Sequence, residues 1–279
     1  MHNCMKIKLI NNMKLIVAPI DFSQNSLNSL NYAAALANDS KAELKIVHAY
    51  NVAKRAGRLK SIEPRIIEEA NRDLAIFQNI IEENFPDLTI SSHINKGETI
   101  SVITKVFEQY NADLVVVSSV GEHEDKNLFM ASTTGSLIKS TNVPVLVIPI
   151  TATYTPIKEI LFAVKNTTVY DESIVNSLVK IKDDFNANTN LVKVILPESP
   201  AYTAKECDLK EIADSYGEVS GETVFESVKS YMDNNETNLL TVIRRKRGFF
   251  ERIFSSSSTP QYIFDSKIPM LVLHGELDA

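Results

Sequence analysis

The sequence predicts two tandem α/β domains, each a doubly wound sheet of five parallel strands covered by helices. Short β-branched runs bounded by chain breakers, such as residues 114–117 (LVVV), indicate strands buried on both faces. Over the first 150 residues these runs alternate with helical patterns as β-α-β-α-β-α-β-α-β, an order typical of a parallel sheet. The second half repeats the order of the first at lower fidelity, so the sequence indicates a duplication.

The elements of the first half follow from periodicity and from helix capping signals. The first strand ends at Asp21-Phe22-Ser23, where Ser23 or Asn25 can cap a helix. A long amphipathic helix is expected over residues 62–85, after a polar and basic loop. A polar loop centred on Gly121 leaves the fourth strand and enters a helix, and the C-terminal ends of parallel strands are where such sheets bind anions and nucleotides. The predicted strands are residues 14–20, 42–50, 88–94, 114–117 and 145–150, and the other predicted helices follow Ser23 or cover 100–110 and about 131–141.

Two landmarks recur at nearly constant spacing in the second half. Gly97 precedes Pro144 by 47 residues, and Gly221 precedes Pro269 by 48 residues. The expected organisation is therefore a disordered extension over 1–12, domain 1 over 13–150, a Thr-rich linker over 151–156 and a degenerate domain 2 over 157–279. The second half is shorter between its second strand and Gly221, where domain 1 carries its long helix.

Composition narrows the class of protein and its compartment. The chain has 279 residues, 44% apolar and 23% charged, with a net charge of −6. This charge argues against a general nucleic-acid binder. Two cysteines in unlike contexts form no disulfide or metal pattern, and they favour the cytoplasm. The apolar runs are too short to cross a membrane, and the N-terminal stretch lacks the cleavage site of a signal peptide.

The segment VAPIDFS at 17–23 and the block at 112–149 resemble the universal stress protein family, and the duplication resembles its tandem two-domain members. The resemblance implies Rossmann-like domains of the adenine nucleotide alpha hydrolase type. It also implies pairing of domains at the strands after Pro144 and Pro269, as an intramolecular pseudo-dimer, and leaves a further homodimer open. An unknown protein partner is expected in addition, and neither nucleic acid nor a membrane is expected as a partner.

ATP-binding members of that family carry an aspartate after the first strand, a small apolar residue ending the second, and a loop G-x2-G-x9-G-[ST]. The resemblance places these features on Asp21, Ala49, Ser118, Gly121, Ala131 and Ser132, which form the candidate ATP site. Only one of the three loop glycines is present. The loop also carries three carboxylates between residues 122 and 125, which would oppose a triphosphate.

The second half retains less of this pattern. Lys165 occupies the position that matches Asp21, and the loop at 244–257 begins with Arg-Arg-Lys-Arg and has serines at the motif positions. We therefore expect no adenine nucleotide in domain 2, although a basic loop before a helix could hold an anion.

Three functional hypotheses follow. The first is a non-catalytic stress-response binding or regulatory protein, because no catalytic triad, carboxylate pair or metal cluster stands out in the sequence. The alternatives are an ATP-binding switch or weak ATPase that uses domain 1, and an anion or phospho-ligand sensor that uses the basic loop. His48 and His123 are lone histidines for which no metal is expected, and His48 is expected near the pocket or a dimer contact.

Overall fold

The computed structural model describes residues 12–51, 63–119, 132–169, 172–196, 207–244 and 267–275. Ten strands of these segments form one sheet, and two short strands form a separate ribbon. The strands are β1 (Leu15–Ile20), β2 (Glu43–Tyr50), β3 (Ile90–Lys96), β4 (Leu114–Ser118), β5 (Val145–Ile148), β6 (Glu159–Val164), β7 (Thr168–Val169), β8 (Asn188–Ile195), β9 (Cys207–Asp208), β10 (Ser215–Ser220), β11 (Leu239–Arg244) and β12 (Met270–His274). The α-helices are α1 (Gln24–Ser40), α2 (Glu63–Asn84), α3 (Thr99–Tyr110), α4 (Thr133–Ser140), α5 (Asn176–Phe185) and α6 (Val224–Asn234).

The large sheet has two halves with the same internal strand order. Its order is β3-β2-β1-β4-β5-β12-β11-β6-β8-β10, and every pair within a half is parallel. Where the halves meet, β5 and β12 pair antiparallel, with Leu146 opposite Leu271. The predicted parallel-dominated α/β fold is therefore confirmed, and one sheet runs through both halves of the chain.

Apolar residues fill both faces of the sheet, because successive strand residues point to opposite sides. Helices α1, α2 and α5 cover the face that contains Ile16 and Phe162. Helices α3, α4 and α6 cover the opposite face, which contains Val17 and Val115. Both clusters include residues from both halves, so each face has a core that continues across the β5–β12 pair. None of the described helices has the length and apolarity of a membrane span.

Helix boundaries follow the capping signals in the sequence. Ser23 accepts the Ser26 amide at 3.2 Å and begins α1. Ser132 accepts the Gly135 amide at 3.1 Å and begins α4, slightly later than the predicted start near residue 131. Side-chain caps of this kind satisfy amides that have no partner inside the helix.

Strand β10 and helix α5 are among the elements of the second half that were not predicted. Strand β10 has the sequence SYGEVS, which lacks the apolar run of a buried strand, and it forms an edge of the sheet that pairs only with β8. Helix α5 buries Leu178 and Ile181 against the first core cluster. The predicted strand at 88–94 is observed two residues later, since pairing with β2 sets its register from Ile90 to Lys96.

A largely buried ion pair joins the two halves where strands β1 and β4 begin. The carboxylate of Asp113 accepts the amides of Lys14 at 2.6 Å and Leu15 at 3.0 Å. The ammonium of Lys180, on α5 of the other half, also binds this carboxylate. Nearby, the Ser177 hydroxyl donates to the Asp113 carbonyl at 2.9 Å. One acidic side chain therefore fixes both the start of β1 and the position of α5.

Candidate functional site

A cleft of about 380 Å³ opens at the C-terminal ends of β1, β2 and β4. Strands β1 and β4 are neighbours, yet the helices that follow them, α1 and α4, cover opposite faces of the sheet. A crevice forms at such a switch point, and it is the usual ligand site of open α/β sheets. The volume lies in the range of small-molecule sites, roughly 300–1,000 Å³.

The structure brings four of the six predicted site residues together. Asp21, Ala49, Ser118 and Ser132 all line this cleft, although 111 positions separate the first from the last. The other two, Gly121 and Ala131, lie outside the described residues. The other lining residues are Pro19, Ile20, Ser23, Asn25, Ser26, Val47, His48, Thr99, Ile103, Val117, Ser119, Thr133 and Thr134.

Asp21 is held by the turn that joins β1 to α1. Its Oδ1 accepts the Ser23 amide at 3.0 Å and the Ser23 hydroxyl at 2.6 Å. Partial burial opposes ionisation of Asp21, but the hydrogen bonds from Ser23, from Ser26 and from its own backbone together outweigh it and lower the pKa of the carboxyl. The cleft therefore carries an ionised, hydrogen-bonded carboxylate at neutral pH.

Phe22 adopts a backbone conformation that is rare for a bulky residue, with φ of 64°. Its ring packs on the His48 ring at 4.3 Å between centroids and meets Phe77 edge-on at 5.6 Å. These contacts compensate the backbone strain. The turn therefore directs Phe22 into the core while Asp21 lines the cleft.

His48 lies in the wall of the cleft, beside Ala49. Its Nδ1 is 3.0 Å from the carbonyl oxygen of Ile20. Because a carbonyl oxygen only accepts, Nδ1 carries the proton, and Nε2 of the neutral ring is a hydrogen-bond acceptor. His48 was expected near the pocket or near a dimer contact, and the structure confirms its position at the pocket.

The far wall consists of hydroxyl-bearing residues from the end of β4 and the start of α4. The Ser118 hydroxyl donates to the Ser119 carbonyl at 2.9 Å, and the Thr134 hydroxyl donates to the Ser118 carbonyl at 2.8 Å. The hydroxyl of Ser119 is buried and has no hydrogen-bond partner in the part of the chain that the structure describes. An unsatisfied buried hydroxyl is costly, and a ligand group reaches this oxygen only if neighbouring atoms shift to expose it.

Sequence reasoning missed several residues of this wall. The loop motif specifies glycines and one hydroxyl residue, so it did not point to Ser119, Thr133 or Thr134. Their signal is nevertheless present: two serines follow a buried strand directly, and Ser-Thr-Thr begins the next helix. Hydroxyl residues at the C-terminal end of a parallel strand and at a helix start are typical of a polar binding wall.

One part of the cleft is apolar, and the other part is polar and carries the negative charge of Asp21. The apolar part is formed by aliphatic side chains, namely Val47, Ala49, Ile103 and Val117. The hydroxyl groups and Asp21 can form hydrogen bonds with a ligand. No lysine or arginine occurs among the described lining residues. The arrangement suits a planar, apolar group joined to a hydroxylated one. Within the described segments, no three His, Cys, Asp or Glu side chains are grouped closely enough to hold a metal ion.

The equivalent strand ends of the second half carry cationic and imidazole groups. Lys165 follows β6, and Arg244 ends β11 opposite His274 of β12. The ring of His274 donates through Nε2 to the Ile138 carbonyl at 2.8 Å, which links β12 to α4 of the first half. Burial, aided by the Arg244 charge, lowers the pKa of His274 to about 4. The basic loop itself, residues 245–257, lies outside the described residues.

A separate polar cluster surrounds Lys45, which is 5% exposed. Its ammonium donates to the Ser91 hydroxyl at 2.7 Å, lies 3.2 Å from Nε2 of His93 and sits 4.1 Å from the centre of the Tyr110 ring. Burial lowers the pKa of Lys45, against the attraction of Glu43. All three of the named contacts are to neutral groups, so the ionic compensation for this desolvated ammonium comes from the longer-range attraction of Glu43.

Comparison with known proteins identifies what the chain is similar to. Residues 13–149 match the model of the universal stress protein family. A curated universal stress protein of Methanocaldococcus jannaschii is 25% identical over 154 residues, which cover 48% of this chain and 94% of that protein.

Two solved structures resemble the protein over nearly its whole length. A universal stress protein from Archaeoglobus fulgidus gives a TM-score of 0.65 at 16% identity, covering 95% of this chain and 97% of that one. A functionally unknown protein from Pseudomonas aeruginosa gives a TM-score of 0.55 at 14% identity, covering 94% and 93%. At such identities the likeness establishes the fold alone.

Proposed function

Because residues 13–149 of this chain belong to the universal stress protein family, we propose that the protein is a stress-response module that binds a ligand without catalysing a reaction. The ligand site is the cleft at the ends of β1, β2 and β4. One observation carries the proposal: Asp21, Ala49, Ser118 and Ser132 come from four separate places in the sequence and line one cavity.

The chemistry of the cleft favours an adenosine-containing ligand. The apolar wall around Ala49 and Val117 provides contact for a planar base. The Asp21 carboxylate is an acceptor for ribose hydroxyls, a role that acidic residues near such strand ends perform in other dinucleotide-binding folds. The start of α4 supplies backbone amides for a polar substituent.

The Asp21 carboxyl is poorly suited to acid–base catalysis at neutral pH. A general acid or base works best with a pKa near the operating pH. The hydrogen bonds from Ser23 hold the pKa of Asp21 below its ordinary value, which moves it away from neutrality. A carboxyl of this kind suits ligand binding better than acid–base catalysis.

We propose that the second half is a degenerate copy of the first and forms an intramolecular pair with it. The equal strand order of the two halves and the antiparallel β5–β12 contact support this proposal. Small-angle scattering would then give the profile of one compact particle. A profile that requires two independently tumbling domains would exclude the pairing.

Calorimetric titration tests the ligand. Adenosine, AMP and ATP with Mg²⁺ are titrated into the wild-type protein and into Ala49→Phe, whose ring would occupy the cleft. The matched control is Ala75→Phe, the same change at an exposed position of α2. We expect at least one ligand to bind the wild type and Ala75→Phe, and none to bind Ala49→Phe. Absence of heat with all three ligands at millimolar concentration would refute the adenosine site.

The alternative function is an ATP-dependent switch with weak hydrolysis, which the position of the α4 N-terminus at the cleft favours. Release of phosphate from ATP separates the two functions. Hydrolysis by the wild type that exceeds hydrolysis by Ala49→Phe would support the switch. Equal, background rates would support a binding module.

A further inference from the structure

A second cavity, of about 360 Å³, lies between strand β3 and helix α3. It shares no described lining residue with the cleft at the ends of β1, β2 and β4. We propose that this cavity is a second ligand site, which binds an oxyanion such as a phosphoryl group, independently of the proposed adenosine site. None of its described lining residues is acidic, and its polar lining groups belong to His93, Asn95, Lys96, Lys105, Gln109 and Tyr110.

Lys105 supplies this cavity with a positive charge that no carboxylate of the described segments neutralises. It is exposed on α3 and forms no ion pair with a described residue. Lys96, the other lysine of the lining, binds the Glu63 carboxylate at 2.6 Å and therefore contributes little net charge. The chain as a whole has a net charge of −6, so this cavity is a local exception whose complementary ligand is an anion.

The buried ammonium of Lys45 adds a second positive charge against the wall of the cavity. It lies 3.2 Å from Nε2 of His93 and 4.1 Å from the centre of the Tyr110 ring, and both of these residues line the cavity. Glu43 attracts this ammonium from a longer range. The C-terminal end of α3 opposes an anion with roughly half a negative charge. The two ammonium groups of Lys45 and Lys105 outweigh it.

Lys45 also sets the hydrogen-bonding role of His93. An ammonium only donates hydrogen bonds, so Nε2 of His93 accepts from Lys45 and Nδ1 of the neutral ring carries the proton. Burial and the Lys45 charge lower the pKa of His93, which keeps the ring neutral at neutral pH. Within the described segments Nδ1 has no hydrogen-bond partner, so it is available to donate to a ligand oxygen. Lys45 is thus a positioning residue for the donor on His93.

An apolar side of the cavity suits a phosphoryl group that is attached to a small organic group. Val102 and Val106 line it, and the Tyr110 ring is 39% exposed. Strand β3 pairs with β2 and with no other described strand, so alternate amides on its outer edge are further donors. Free phosphate and an organic phosphate share the charge and the acceptor oxygens that this cavity complements, and the aromatic wall distinguishes between them.

The test is a titration with inorganic phosphate and with phenyl phosphate at low salt, followed by NMR of the histidine rings of the full chain. We expect a saturable shift of the His93 ring signals with at least one of the two probes. Lys105→Ala should weaken binding about fivefold, the effect of one charge about 4 Å away in water. Lys105→Glu should abolish binding. The matched control is Lys139→Glu, the same change at an exposed position of α4 outside the lining of the cavity.

The role of Lys45 has its own readout. In Lys45→Met the ¹⁵N shifts of the His93 ring should show that the preference for a proton on Nδ1 is lost, and phosphate should bind more weakly. Tighter binding of phenyl phosphate than of inorganic phosphate supports an organic phosphate as the ligand, and equal binding supports free phosphate. Shifts that do not saturate with either probe overturn the proposal. Equal weakening by Lys105→Glu and Lys139→Glu also overturns it, because the attraction then belongs to the whole surface. Ala49→Phe should leave phosphate binding unchanged, so the two sites can fail separately.

Discussion

Removal of the Asp113 carboxylate should destabilise the protein more than any surface ion-pair substitution. This side chain is 9% exposed, and the side chain of its partner Lys180 is 20% exposed. Asp113→Ala removes the carboxylate that Lys180 binds, which leaves this ammonium only the longer-range attraction of Asp184, and it leaves the amides of Lys14 and Leu15 without their acceptor. The perturbation therefore acts on the start of β1 and on the contact between the halves.

The magnitude follows from burial. Removing one partner of a buried ion pair costs about 3–5 kcal/mol, because the other charge stays desolvated, and the partial exposure of Lys180 and the attraction of Asp184 place Asp113→Ala at the lower end of this range. Lys180→Met should cost less, about 1–2 kcal/mol, since Asp113 keeps its two amide donors. The double variant should therefore cost less than the sum of the single variants by about 1–3 kcal/mol.

Urea unfolding followed by far-UV circular dichroism measures these changes, because the chain contains no tryptophan for fluorescence. Glu69→Ala is the control. It breaks an exposed pair with Arg65, whose side chains are 49% and 80% exposed, and should cost at most about 0.5 kcal/mol. A cost below about 1 kcal/mol for Asp113→Ala, or additive effects of the two substitutions, would refute the reasoning.

Three further predictions concern single sites. The pKa of His274 is about 4 in the folded protein and about 6.5 in the unfolded chain, so the unfolded chain binds the proton first as pH falls. The free energy of unfolding should therefore fall between pH 6.5 and 4 by about 3 kcal/mol more in the wild type than in His274→Gln; parallel pH profiles would contradict this. In Gly221→Ala the new Cβ would overlap the Ser227 hydroxyl, which would have to turn away from the Thr223 carbonyl to which it donates, and we expect a loss of about 1–3 kcal/mol. Gly217→Ala, where a Cβ meets nothing within 4 Å, should be nearly neutral, and equal losses for the two would disprove the steric argument. Lys45→Met should leave stability unchanged or raise it, because it removes a desolvated charge; a loss above about 2 kcal/mol in urea unfolding would show that its contacts are net stabilising.

The sequence predicted the first half of the fold well because local rules and tertiary packing agree there. Residues 114–117 are apolar, three of them β-branched valines, and they are buried and lie in β4 as expected. Ser23 caps α1 as its position indicated. In the second half, β10 escaped prediction because an edge strand that is half exposed needs no continuous apolar run.

The candidate site was predictable only in part. Asp21 and Ser118 follow buried strands, so their location at one end of the sheet could be inferred from the sequence. The tautomer of His48 depends on the Ile20 carbonyl, which reaches it only after β1 and β2 pair. The unsatisfied hydroxyl of Ser119 likewise depends on what surrounds it in the folded chain.

The sequence by itself determined the α/β class, the order of the first-half elements and the family resemblance, because periodicity and caps are local properties. The tertiary structure decided that β5 and β12 pair antiparallel, so that one sheet and two continuous cores span the chain. It also brought Asp21, Ala49, Ser118 and Ser132 to one cleft, since only folding places the ends of β1, β2 and β4 beside the start of α4. Burial and electrostatic balance depend on which distant residues become neighbours, and no local pattern contains that information.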